Sequence, residues 1–320
     1  MDSDRSWERR IRTYLAEENI GPLSFDEVKR RIPAHILNGT ENDDPDDPFG
    51  CRLMTYEEIR DANDALASYY DILAGATYHL DVTTYAHLAE YIDARRPAHI
   101  VDGGCGTGAP LAFLAAEFPD LQFTGYDISP EMVKRAVERA LRRGLQNVRC
   151  FTANHENAPQ RIAPGSIDLL FERCAFDGGS FPVFEFFHPP PQWSPLAHIM
   201  RDVETFYKEN PTMQRWRAVL GAFASLIRDN GRLIDIGRNC AGGVTMFTEL
   251  ARRAGLERDE AWCRTFPDGD EPCPSTVSPS AIEAHGETFG AGGAPFVCAL
   301  ALQRQPRACK LALQEQSRAA

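Results

Sequence analysis

The sequence predicts an α/β protein built on a doubly wound, mainly parallel sheet, and three observations predict it. From residue 98 onward, apolar strand-like runs alternate with stretches of helical period. The first of these runs leads through a glycine-rich turn directly into a helix, and residues 1 to about 95 read as helical. Alternation of this kind sandwiches a parallel sheet between two helical layers. Right-handed crossovers then gather the strand C-termini on one edge, where ligands bind.

Taken in order, Trp7, Ile11, Tyr14 and Leu15 share one helical face. Ser24 with Glu27, and Thr55 with Glu58, have capping-box spacing at the starts of two further helices. Between them ENDDPDDPFG (41–50), acidic and broken by proline, reads as a solvated loop. A fourth helix, about 83–95, leads into the first strand. Strands are expected at 98–104, 121–127, 148–153, 167–173 and 231–237, with a further pair at 285–290 and 295–303. Helices are expected near 108–117, 130–144, 212–229 and 244–255. The organisation is therefore a helical N-terminal cap (1–95), an α/β domain (96–304) and a polar tail (305–320). Almost forty residues separate the strand ending near 173 from the helix starting near 212, where a handful would be ordinary. This insertion (177–211) is rich in Phe, Pro and Trp and falls at the ligand edge. It reads as a substrate-binding lid, with the N-terminal helices as a second wall.

The 320 residues carry a formal net charge of −12 and a pI near 5.2. That balance opposes attraction to phosphate backbones and anionic membrane surfaces, so the expectation is a small-molecule substrate, with no nucleic acid and no membrane. The stretch MDSDRSWERRIRTYL has no apolar core of the secretory kind, and no run of about 18 apolar residues occurs. Nine scattered cysteines include no C-x-x-C pair, which speaks against a zinc site or a dithiol motif; no metal is expected. Reduced thiols in a cytoplasmic protein are the matching expectation. Oligomeric state is not legible.

The central motif is Val101-Asp102-Gly103-Gly104-Cys105-Gly106-Thr107-Gly108, between a strand and a helix. Its glycines let the backbone approach a nucleoside, and the helix start offers free N–H donors. Gly104-x-Gly106-x-x-Ala109 also satisfies a loose dinucleotide fingerprint, so the surroundings decide. Asp102 precedes the first motif glycine by two residues, suited to the ammonium of an amino-acid-bearing ligand. Asp127 ends the next strand, 23 residues beyond Gly104, the spacing that grips ribose hydroxyls.

With these residues in place, the segment from about 98 to 176 resembles the class I S-adenosylmethionine-dependent methyltransferases, of the small-molecule type and with a Rossmann-like fold. HIVDGGCGTG resembles the family's first motif, GYDISPEM its second-strand acidic motif and SIDLLFERCAF its fourth-strand segment. GRLIDIG followed by MFTELARRAGL resembles the fifth strand and its helix. The resemblance implies S-adenosylmethionine as cofactor. It implies that Gly104, Gly106 and Gly108 pass under the methionine and ribose, and that Asp102 orients the amino group directly or through water. Asp127 would bind the ribose and Ile128 the adenine face. Asn154, where the family commonly has Asp, would accept from the adenine amine, and Gly103, where a bulky apolar residue is usual, would leave room beside the cofactor. His155 and Arg173 complete the cofactor set. Tyr69-Tyr70-Asp71-Ile72-Leu73-Ala74-Gly75 resembles a recurrent feature of small-molecule members, in which one of these tyrosines, or Tyr78, would close over the cofactor, with Tyr70 the candidate kept.

Methyl transfer is an in-line displacement that alignment and water exclusion largely catalyse. A base is needed only if the acceptor loses a proton. Candidates are His155, Glu172, Asp177 and His188, with His188 of the insertion foremost; the catalytic set is His188, Glu172 and Tyr70. Each also has a structural reading, Glu172 and Arg173 pairing with each other or with nearby loops. His188-Pro189-Pro190-Pro191-Gln192-Trp193 lies too far past the fourth strand to serve as a nucleobase-methylating motif, and reads as a polyproline wall. The leading function is methyl transfer to a small-molecule acceptor, in specialised metabolism. The alternative keeps the cofactor but cyclises or transfers its 3-amino-3-carboxypropyl chain, releasing methylthioadenosine, as azetidine-2-carboxylate synthases do. A third reading is a non-catalytic cofactor-binding protein.

Overall fold

The computed structural model describes residues 6–37, 55–173, 211–239, 241–266 and 296–306. The expected loop at 41–50, the strand at 285–290, the insertion up to residue 210 and the tail from 307 lie outside the described residues. Six helices come first: α1 (Ser6–Glu17), α2 (Phe25–Arg31), α3 (Ala34–Leu37), α4 (Tyr56–Leu66), α5 (Tyr70–Ala76) and α6 (Tyr78–Arg95). Then follow β1 (His99–Gly103), α7 (Ala109–Glu117), β2 (Gln122–Asp127), α8 (Pro130–Arg142), β3 (Val148–Thr152) and β4 (Ile167–Arg173). The chain continues with α9 (Pro211–Leu226), β5 (Ile227–Asn239), α10 (Ala241–Ala254), β6 (Leu256–Arg258), β7 (Arg264–Phe266) and β8 (Phe296–Arg304).

The strands form one mainly parallel sheet in the order β3-β2-β1-β4-β5-β8-β6, with β7 also pairing β8. Strands β1 to β5 are mutually parallel, and β8 runs antiparallel to its three neighbours. The chain winds outward from β1 through β2 to β3, then returns to β4 on the other side. The switch point therefore falls between β1 and β4, where a doubly wound sheet opens its ligand crevice. Ile100, Val101, Leu169 and Leu170 have no exposed surface because helices cover both faces. On one face α1, α6 and α7 contribute Ile11, Leu88 and Phe113 to one buried cluster. On the other, α9 and α10 contribute Phe223 and Leu250 to a second.

Both capping boxes form: the Ser24 and Thr55 side chains accept from the Glu27 and Glu58 N–H, and each glutamate accepts from the cap's N–H. Helix α6 starts at Tyr78, five residues earlier than expected. Twelve of its eighteen residues are buried, so it lacks the apolar–polar contrast that marks a helix in sequence. The short strands β6 and β7 are a further departure: at three residues each they are stabilised by pairing with β8 rather than by a pattern of their own.

His87 on α6 is 1% exposed, and its Nε2 lies 3.0 Å from the Trp262 carbonyl. Burial, then the nearby Arg264 charge, lowers its pKa from 6.5 to about 4. Below about pH 6.5 the unfolded chain takes up a proton that the folded chain refuses, so stability falls as pH drops from there towards 4. In urea denaturation, wild type should lose about 2 kcal/mol more than His87→Phe between pH 7.5 and pH 5. Parallel pH profiles for the two proteins would contradict this.

Candidate functional site

The turn after β1 folds back over the end of β2. Gly104 and Cys105 donate their N–H groups to the Tyr126 carbonyl at 2.8 and 2.9 Å. Gly106 donates to Asp127 Oδ2 at 2.9 Å, and Ser129 N–H donates to Asp127 Oδ1 at 2.9 Å. Asp127 is 7% exposed. Burial pushes its carboxyl up, and the Ser129 and Gly106 N–H groups oppose the shift. Gly106 adopts φ +51°, and a Cβ there would stand 3.1 Å from the Tyr70 ring. Gly108, at φ +73°, faces α8: a Cβ would stand 2.7 Å from Ala136 Cβ. Its smallness therefore serves the packing of α7 on α8.

At the switch point a cleft partly open to solvent is lined by Gly104, Gly106, Asp127, Ile128, Asn154, His155, Arg173 and Tyr70, among others. Eight of the predicted site residues thus meet in one place. Asp102, Gly103, Gly108 and Glu172 do not line it. Asp102 is 2% exposed, and its Oδ2 has no hydrogen-bond partner among the described residues. Burial pushes its carboxyl well up, with Cys150 and Asp127 adding to the effect.

The room expected beside Gly103 is filled. Tyr126, its register partner on β2, reaches across so that a Cβ on Gly103 would stand 2.9 Å from the Tyr126 hydroxyl. That hydroxyl lies 3.1 Å from His155 Nδ1, and the Tyr126 ring stacks on Phe151. Asn154 Oδ1 accepts from Asn157 N–H at 2.7 Å, so its oxygen shapes the turn after β3 as well as facing the cavity.

Glu172 and Arg173 point to opposite faces of the sheet, as successive strand residues do. Arg173 forms an ion pair with Asp81 of α6, whose pKa burial raises to about 6 against the pull of Arg173. Glu172 is 1% exposed and hydrogen-bonds its register partner Asp235, whose carboxyl burial pushes up. Glu172 is thus a buried member of the sheet rather than part of the cavity wall. His188 and Asp177 lie outside the described residues. Sequence reasoning missed Tyr56, Ile59 and Asn63 of α4, and Tyr126, Met132 and Ala153, which also line the cavity; the nearest signal for α4 was the Thr55 capping box one residue earlier.

Fold and cavity together define a doubly wound α/β protein with its ligand crevice at the switch point. Residues 95–236 match the family described as a methyltransferase domain. Trans-aconitate 2-methyltransferase of Rhodococcus jostii is 44% identical over 92 residues, 27% of this chain and 36% of that protein. Malonyl-acyl-carrier-protein O-methyltransferase of Herminiimonas arsenicoxydans is 39% identical over 75 residues, 23% of this chain and 27% of that one. A tRNA (guanine-N(7)-)-methyltransferase of Macrococcus caseolyticus is 26% identical over 110 residues, 34% of this chain and 50% of that one. The match spans between about a quarter and a half of these curated relatives. These matches support a class I S-adenosylmethionine-dependent methyltransferase domain over residues 95–236, a kind of domain whose cofactor is S-adenosylmethionine. No helix among the described residues is long and apolar enough to cross a membrane.

The crossing of Tyr126 over Gly103 gives a double-mutant test. Gly103→Ala should destabilise the fold by about 1–3 kcal/mol through overpacking. In a Tyr126→Phe background, which removes the nearest atom, the same substitution should cost clearly less in denaturant titrations. Equal costs in both backgrounds would mean that the hydroxyl does not fill that space.

Proposed function

We propose that this protein transfers a methyl group from S-adenosylmethionine, in line, to a small-molecule acceptor of specialised metabolism. The observation that carries the reading is the convergence of Gly104, Gly106, Asp127, Ile128 and Asn154, from three strand ends, on one cavity at the switch point. The residues present fit the cofactor: Asp102 offers a buried carboxyl oxygen with no hydrogen-bond partner among the described residues, and Gly104 and Gly106 line the cavity without side chains. Asp127 would hold the ribose hydroxyls, Ile128 and Asn154 the adenine, and Gly104 and Gly106 the methionine portion, with Arg173 at its end. Asp102, set back from the cavity, would act on the amino group through water. When bound, the cofactor supplies a methyl group already activated on a sulfonium.

The chain's own part is then alignment and exclusion of water. Tyr70 covers the glycine turn, and α4 closes the adenine side. Of the base candidates in described residues, His155 lines the cavity, while Glu172 is buried apart from it. The acceptors named for two of the relatives are trans-aconitate and a malonyl-carrier protein. The formal charge of −12 favours acceptors of that kind over the tRNA named for the third. With Tyr126 occupying the space over Gly103, that residue no longer favours chain cyclisation of the cofactor.

Calorimetry with S-adenosylhomocysteine should show binding to the intact chain. Asp127→Asn, which keeps the side chain's size, should weaken it on the order of 10- to 100-fold. Incubation with S-adenosylmethionine and a panel of small carboxylic acids should yield S-adenosylhomocysteine by mass spectrometry. Methylthioadenosine formed without any acceptor would overturn the methyl-transfer reading.

A further inference from the structure

We propose that Asp71 is a positioning residue: with Thr107 and Arg139 it holds Tyr70 on the glycine turn, so that docking of the N-terminal helices sets cofactor affinity. The inference rests on reading the cavity as the cofactor site. Asp71 immediately follows Tyr70 at the start of α5. Its Oδ1 accepts from the Thr107 hydroxyl at 2.9 Å, and its Oδ2 accepts from Arg139 Nη2 at 2.7 Å. Arg139 Nη1 donates to the Thr107 carbonyl and, at 2.9 Å, to the Thr107 hydroxyl oxygen. The Thr107 hydroxyl therefore donates to one partner and accepts from the other, which fixes its proton. Thr107 is 2% exposed and Arg139 3%.

The arrangement joins four parts of the chain. Arg139 belongs to α8 and Thr107 to the turn after β1. Arg139 Nε also donates to Glu18 Oε2, just past α1, at 2.9 Å. Arg142 and Arg143 donate to the same carboxylate. A guanidinium this deeply buried is costly to desolvate unless it is paired and its N–H groups are satisfied. Asp71 is one of the two carboxylates that meet that need.

Helix α5 depends on this contact more than a longer helix would. It has seven residues and no side-chain N-cap, and an isolated helix so short does not persist in water. Its far end is held where Leu23 N–H donates to the Gly75 carbonyl at 2.9 Å. Asp71 holds the near end, one residue from the ring that lies over Gly106. Gly106 in turn donates to Asp127, so a shift of α5 is transmitted to the turn and to the carboxylate proposed to bind ribose.

The test uses the intact chain, with S-adenosylhomocysteine as the calorimetric probe. Thr107→Val, nearly isosteric, should weaken binding about five- to thirty-fold, as loss of one or two hydrogen bonds does. Thr107→Ser, which keeps the hydroxyl, should stay close to wild type, and Asp71→Asn should fall with Thr107→Val. In a Tyr70→Ala background Thr107→Val should add little, because it acts through that ring. Hydrogen exchange in residues 70–76 of the free protein should rise in Thr107→Val. A lowered melting temperature with unchanged affinity, or full additivity with Tyr70→Ala, would overturn the inference while leaving the cofactor reading intact. Failure of wild type to bind the probe would overturn both.

Discussion

The Asp127 carboxylate accepts two backbone N–H groups from separate parts of the chain, Gly106 in the turn after β1 and Ser129 at the start of α8. A carboxylate this buried is costly without hydrogen bonds, and N–H groups at a turn or a helix start need acceptors. Each side supplies what the other lacks, so the path of the turn, the end of β2 and the start of α8 are set together. The Ser129 hydroxyl accepts from Met132 N–H at 3.0 Å to cap α8, and it also meets Asp64 of α4. The cavity wall contributed by α4 is thereby tied to the same point. Removing the Asp127 charge would loosen the α4 wall and the glycine turn at once, which is why the rest of the site depends on it.

Strand alternation explains which neighbours act together. Phe151, Tyr126, Gly103, Glu172 and Asp235 are successive register partners across five strands and so share one face of the sheet. Gly103 contributes no side chain, and the Tyr126 hydroxyl fills that gap. Burial and the nearby Glu172 carboxyl push the Tyr126 phenol well up, so it stays protonated. Glu172 and Asp235 hydrogen-bond in the same row, and two buried carboxyls in contact hold a proton between them. On the opposite face Arg173 is matched by Asp81. The sheet thus carries a row beneath the cavity whose two carboxyls share a single negative charge, and one compensated ion pair at its rim.

Much of this was legible because the signals are local. The glycine turn, the acidic end of β2 and the two capping boxes depend on backbone needs that a few neighbouring residues reveal. Strands β1, β2 and β4 were legible from apolar runs because both of their faces are buried. What stayed hidden depends on distant partners. Nothing near Gly103 announces that Tyr126 crosses over it, since the two are 23 residues apart and meet only through strand register. Gly108 read as a cofactor glycine because its local pattern is the same whether it faces a ligand or Ala136. Glu172 read as a candidate base because its position at a strand end says nothing of which face it takes. Arg139, with partners just past α1, on α5 and in the turn, sits in an ordinary basic helix sequence whose burial cannot be read from its own segment.

The N-terminal helices and the sheet share a single core: Ile11 of α1, Leu88 of α6, Phe113 of α7 and Ile100 of β1 belong to one buried cluster. The site inherits this continuity, since Tyr56, Asn63 and Tyr70 wall the cavity from one end of the chain while Asn154 and Arg173 close it from the other. A cavity whose walls come from both sides of β1 exists only when α4 and α5 are docked. Docking relies on Asp64, Asp71 and Glu18 meeting groups on α8 or the glycine turn. Carboxylates on the helices thus face N–H groups and guanidiniums on the α/β side, which gives the interface its polarity and register. Burial of a small molecule at such a junction stabilises the docked state by its own binding free energy. Helix docking and ligand binding are therefore linked in both directions.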